Sequence, residues 1–262
     1  MGIVGYIVLP RKRFLSTSRQ MVAWYTCCNI RSLKMKGSAM FLHIDMEVFE
    51  ERIGISRKQL AHVWDHAEKV VSLRDMVKVE SVQVMPLDYL RRLLVGTRLE
   101  GDTGEHPYKN CDIKLARMDP ASLVVGQTFI ERRKYQSLLE GFSDIFHGYC
   151  VTRGVAKCNA LIVLGRTATN ELVIAHYIPP IVEQGDDACL RLLDGVHRNF
   201  IVMAVGTTIE TIILHGVKVP FPCGLSGWHS LRLVDEKPPR QERFSHLRPE
   251  LFRDVKFVGI DG

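Results

Sequence analysis

No apolar run in this sequence approaches the ~18 residues that a membrane-spanning helix needs, and its mean hydropathy is only +0.01. A polytopic membrane protein is therefore not expected. There is no CxxC pair either. The seven cysteines, Cys27, Cys28, Cys111, Cys150, Cys158, Cys189 and Cys223, are odd in number and irregularly spaced. Neither a secreted disulfide framework nor a zinc ribbon is expected, and most of these residues read as buried free thiols. Internal repeats and low-complexity runs are also missing, which excludes solenoids and arrays.

Acidic residues are absent from the whole first 44 positions; the first is Asp45. Before it stand seven basic residues, Arg11, Lys12, Arg13, Arg19, Arg31, Lys34 and Lys36, so the net charge of +6 leaves −1 for everything that follows. The body of the chain thus brings no overall positive charge to a phosphate backbone. Three readings fit residues 1–44: an Arg- and Ser-rich transit segment, a basic arm for nucleic acid or an acidic membrane surface, or sequence outside the native fold, with initiation at Met35 or Met40. A secretory signal fits poorly, because the apolar stretch 3–9 precedes the charges.

What is present is ordinary globular composition: 262 residues, 46% hydrophobic, 24% charged. The length allows one large domain or two small ones. Residues 45–110 read as mainly helical. Ser56-Arg57-Lys58-Gln59 matches a capping box, after which Leu60, Val63, Trp64, Ala67, Val70 and Val71 recur at helical spacing. Pro86 and Asp88 open a second helix containing Leu90, Leu93 and Leu94. The turn-rich stretch 101–110 is the expected boundary. Beyond it a strand is expected over 111–116 with Asp119-Pro120 as a turn, then a helix over 129–146. Apolar runs at 160–164 and 172–177 read as a hairpin. Strands at 179–182, 190–193 and 208–214 flank a helix over 197–205. Residues 221–262 are expected to pack on this domain as an extension.

The most informative stretch is Asp194-Gly195-Val196-His197-Arg198-Asn199. A strand ends at Asp194, Gly195 permits a tight turn, and a helix follows whose first N–H groups point back at the turn, forming an anion site. Arg198 in the first helical turn opposes the helix dipole unless it faces a bound anion. Asp194 has the chemistry to hold Mg²⁺, accept a proton or orient its basic neighbours. An ordinary strand-to-helix turn would use the same residues.

A strand, Asp-Gly-x-His-Arg, an apolar helix, a Gly and another strand resembles the signature of the ParB/sulfiredoxin-like superfamily, over roughly residues 111–220. The resemblance implies an α+β fold, a small mixed sheet with packed helices, and a nucleotide-phosphate site formed by Gly195, Val196, His197, Arg198 and Asn199, with Gln127 and Thr128 before the first helix. The sulfiredoxin branch has its catalytic cysteine where Val196 stands here, so that activity is not expected. The partition branch carries a downstream DNA-binding domain for which about 40 residues leave no room.

The free-serine-kinase branch is most similar at the motif. By analogy Asp194 is the catalytic or metal-side carboxylate, His197 is catalytic as well as a phosphate contact, and Arg198 contacts phosphate. Gln127 stands where that branch has a glutamate, and an amide is no base. The expectation is a cytoplasmic nucleotide-binding protein, using ATP, ADP or CTP with Mg²⁺, that transfers phosphate to a small-molecule acceptor, with no membrane partner. The alternative is a ParB-like DNA-binding or nuclease-like module.

Weaker signals read more simply. His62 and His66 have i, i+4 spacing suited to zinc, but solvent-facing histidines are the commoner case. Arg132-Arg133-Lys134 reads as a solvated face that could also guide phosphate. Trp228 reads as a packed residue rather than a stacking platform for a base. Asp186-Asp187 reads as turn chemistry.

Overall fold

The computed structural model describes residues 43–54, 66–101, 104–136, 160–204 and 206–255, all within one unit, Met40–Gly262. In chain order the elements are β1 (His43–Asp45), α1 (Met46–Ile53), β2 (Lys69–Val71), β3 (Met76–Val84), α2 (Leu87–Val95), β4 (Asp112–Met118), β5 (Val124–Val125), β6 (Phe129–Glu131), β7 (Leu161–Thr167), β8 (Leu172–Tyr177), β9 (Ile181–Gln184), β10 (Leu190–Asp194), α3 (Val196–Ala204), β11 (Ile209–His215) and β12 (Arg232–Val234). The class is α+β, with more sheet than helix among the described residues.

Two five-stranded sheets dominate, ordered β1-β2-β8-β7-β3 and β4-β11-β9-β10-β5, with β12 and β6 as a separate parallel pair. The β7–β8 hairpin is built from almost continuously buried residues on both strands. That pattern fits strands covered on both faces, where no polar side is needed. The chain passes from the first sheet to the second through Ile178, Pro179 and Pro180, between β8 and β9.

One hydrophobic core joins both sheets to α1 and α2. Met46, Phe49 and Ile53 of α1 and Tyr89, Leu90, Leu93 and Leu94 of α2 meet Ile162, Leu164 and Ile174 of the first sheet and Ile181, Ile212 and Leu214 of the second. Fully burying each such side chain is worth about 1.5–3 kcal/mol. Gly54, at φ +63°, ends α1 and returns its N–H to the Glu50 carbonyl at 2.9 Å. A smaller core holds Leu123, Val125, Ile130, Val182, Leu192 and Val196 beneath the start of α3.

Two expectations are corrected. The stretch 45–110 is not mainly helical: it supplies β1, β2 and β3 to the first sheet as well as α1 and α2. Val70 and Val71 lie in β2, and Val70 pairs with Ile174 of β8. Short apolar runs leave helix and strand open, and here a partner about 100 residues away decides. The capping box and most of the helix expected after it, 55–65, lie outside the described residues. Similarly, Phe129–Glu131 is a strand paired with β12, not the opening of a helix. A helical turn follows at 132–136, and 137–150 lie outside the described residues.

Candidate functional site

β10 meets β9 with a register shift between Leu192 and Asp194. Such a bulge bends the strand and re-aims the residues around it. It turns the chain into Gly195, whose φ is +93° and where an added Cβ would stand 2.8 Å from Pro180 Cβ. Glycine is thus required both by the conformation and by the space. The Gly195 carbonyl accepts the Asn199 N–H at 2.9 Å, which makes Gly195 the N-cap and leaves Val196, His197 and Arg198 with first-turn N–H groups that have no acceptor within the helix.

Arg198 and Asp194 form an ion pair at 2.5 Å, with side chains 12% and 17% exposed. Arg198 also donates to the Ile178 carbonyl, at the seam of the two sheets, and its guanidinium lies 5.4 Å from the Tyr177 ring centre. Burial alone would lower the Arg198 pKa, but the Asp194 carboxylate and Tyr177 outweigh it and hold the group more firmly protonated. The side chain is a permanent, prepositioned cation.

A cavity of about 290 Å³ opens against this turn. Its lining includes Asp194, Gly195, Val196, His197, Arg198 and Gln127. Six of the residues singled out in the sequence are therefore brought together. The volume is at the lower end of small-molecule sites, roughly 300–1,000 Å³. Two others do not reach it. Thr128 turns away and donates to the carbonyls of Glu242 at 3.0 Å and Arg243 at 3.2 Å. Asn199 is wholly buried and gives Nδ2 to the Gly195 carbonyl at 3.0 Å, so its part is to brace the turn.

His197 lines the cavity, but its Nε2 accepts the Glu131 N–H at 2.9 Å and its ring meets Phe129 edge-on at 6.4 Å. That nitrogen ties α3 to β6 and is spent on backbone. Gln127 donates Nε2 to the Phe129 carbonyl at 2.6 Å. Glu100 also faces the cavity, paired with Arg240. Among the described residues no cluster of three or more His, Cys, Asp or Glu is placed to hold a metal, and His62 lies outside them.

Lys134, the last residue of the basic run, also lines the cavity. The rest of the lining is a half that sequence reasoning missed: His176 and Tyr177 at the end of β8, and Phe221, Phe244, Phe252 and Arg253 from the C-terminal segment. Residues 221–255 are bridged to the body at Val125–Ser226, Gln127–Phe244 and Leu99–Arg253. No local pattern marks these positions as neighbours of Asp194. Cys223 is there too, and burial pushes its thiol up to about 11, so it is a packing group and not a thiolate nucleophile.

Arg253 stands in a closed hydrogen-bond network. It meets Glu183 through two parallel hydrogen bonds of 2.8 Å each, with side chains 0% and 2% exposed. Its other N–H groups go to the carbonyls of Leu251, Pro220 and Val219, and Tyr108 donates its hydroxyl to Glu183 at 2.6 Å. All five guanidinium donors are satisfied.

The weaker signals resolve structurally. Arg132 and Arg133 pair with Asp235 and Glu236, which balances the basic run. Trp228 donates to the Pro120 carbonyl at 2.7 Å and packs on the smaller core. Asp186 and Asp187 are exposed and paired with Lys218 and Arg191.

No family model, curated protein or solved structure matches this chain. No described helix is long and apolar enough to cross a membrane.

Proposed function

We propose that this chain is a nucleotide-binding protein of the ParB/sulfiredoxin-like type, which seats the phosphates of ATP, ADP or CTP at the 194–198 turn for Mg²⁺-dependent transfer to a small-molecule acceptor. One observation supports this reading above the rest. The start of α3, the buried Arg198 cation, Lys134 and the Gln127 amide all line a single cavity. Helix N–H groups and a fixed guanidinium together suit phosphate oxygens. Phosphoryl transfer needs mainly such positioning and charge neutralisation.

Asp194 holds Arg198 in place with one oxygen. It is the residue that would ligate Mg²⁺, as a single carboxylate beside nucleotide phosphates, a common mode for this ion. The ion would supply charge neutralisation on the phosphates. Gln127 offers hydrogen bonds and no base, so its part is to orient an oxygen of the ligand or acceptor.

Titration calorimetry of the full chain with ATP, ADP, CTP and GTP, each with and without Mg²⁺, tests the proposal. At least one is expected to bind more tightly with Mg²⁺, and Arg198→Ala is expected to weaken it by tenfold or more. Failure of all four to bind ends the reading.

A further inference from the structure

We infer that the C-terminal segment supplies a ring-binding subsite, so that the ligand of this cavity is a nucleoside polyphosphate whose base lies against Phe221, Phe244 and Phe252. This inference rests on the phosphate site proposed above. It adds the residues that receive the base of that nucleotide.

The three rings come from one stretch of chain and line the same cavity as Asp194 and Arg198. Each is only partly buried. Phe244 and Phe252 meet edge-to-face with centres 4.9 Å apart. Arg240 lies 4.9 Å from the centre of the Phe252 ring and is paired with Glu100, which lines the cavity. The lining therefore carries both cationic and hydrogen-bonding groups and aromatic rings. An inorganic phosphate would use only the first kind. A planar ring joined to phosphates would use both, since aromatic faces stack on any base.

The aromatic wall is also held rigidly. Arg253, adjacent to Phe252, is locked by Glu183 and three backbone carbonyls. At Gly126 an added Cβ would come 2.4 Å from Cys223 Sγ and 3.0 Å from the Phe221 ring. The glycine beside Gln127 thus lets the segment bearing Phe221 close against the turn that carries Gln127. A wall prepositioned in this way loses little entropy on binding.

The test compares ATP, CTP, GTP and UTP with inorganic tripolyphosphate on the full chain by calorimetry. The tightest nucleotide is expected to bind at least tenfold better than tripolyphosphate. Phe244→Leu and Phe252→Leu keep apolar volume but remove the π face, and each is expected to weaken that nucleotide roughly 5- to 100-fold, the usual worth of one stacked base. Phe244→Tyr and Phe252→Tyr keep the π face and should bind that nucleotide as the natural chain does, while the leucine variants should keep the natural chain's thermal unfolding midpoint, which a merely structural loss would lower. If tripolyphosphate binds as well as every nucleotide, or if the leucine variants bind nucleotide normally, the ring subsite is overturned while the phosphate site stands. If neither tripolyphosphate nor any nucleotide binds, the phosphate site itself is overturned and the subsite falls with it.

Discussion

The two arginine–carboxylate pairs around the cavity look alike and are built for opposite purposes. Arg253 and Glu183 are completely enclosed, at 0% and 2% exposure, and every N–H of the guanidinium already has a protein acceptor. Nothing is left for a ligand. Arg198 and Asp194 sit at 12% and 17% exposure, beside a helix start whose N–H groups have no acceptor within the helix. Even with Asp194, the Ile178 carbonyl and Tyr177 as partners, Arg198 keeps N–H donors for the cavity. A saturated pair fixes the fold, whereas an unsaturated one is available for chemistry.

This contrast can be broken most forcefully at the saturated pair. Arg253→Ala leaves Glu183 buried and unpaired. It should cost about 3–5 kcal/mol, the usual penalty for halving a buried ion pair, as read from the denaturation midpoint. Arg198→Ala should cost less, about 1–3 kcal/mol, yet remove nucleotide binding. If the two variants lost stability equally and neither affected binding, the distinction would collapse.

A pH measurement sharpens the account of the cavity wall. The Cys223 thiol is raised by burial from 9.0 to about 11, so between those values the folded state holds a proton that the unfolded chain has released. Stability contributed by this group is complete below pH 9 and declines as pH rises toward about 11. Cys223→Ala should flatten that part of the alkaline unfolding profile. An unchanged slope would place the thiol in a more open setting.

The smallest effect is expected at Gln127. Gln127→Glu exchanges the donor that serves the Phe129 carbonyl at 2.6 Å for an acceptor. It should cost about 1 kcal/mol in thermal unfolding. If a carboxylate there also acts as a base, nucleotide turnover should rise above that of the natural chain.

Much of the second sheet was legible from local pattern. β4, β9, β10, α3 and β11 fall close to their expected spans, because the runs are short, largely apolar and bounded by Asp-Pro, Pro-Pro, Asp-Gly and Gly. The turn at Gly195 was legible for the same reason: its demand for glycine is local. What local pattern left open was set at long range. Val70 became a strand residue because Ile174 pairs with it, and Phe129 because Arg232 does. His197 had the look of a phosphate ligand, but its Nε2 went to the Glu131 backbone across 66 residues. Phe244 and Phe252 carry no signal of site membership, since long-range links such as the Arg253–Glu183 lock, the bridges at Leu99 and Gln127 and the Thr128 bonds to Glu242 and Arg243 bring that segment to the cavity.

Thermal unfolding of the full chain and its Arg198→Ala variant, with and without each nucleotide plus Mg²⁺, tests the central claim most directly. The natural chain should gain about 2.7 kcal/mol with one nucleotide at ~100 times its dissociation constant, and Arg198→Ala should gain almost nothing. An equal shift in both proteins, or none in either, would contradict a phosphate site at the 194–198 turn.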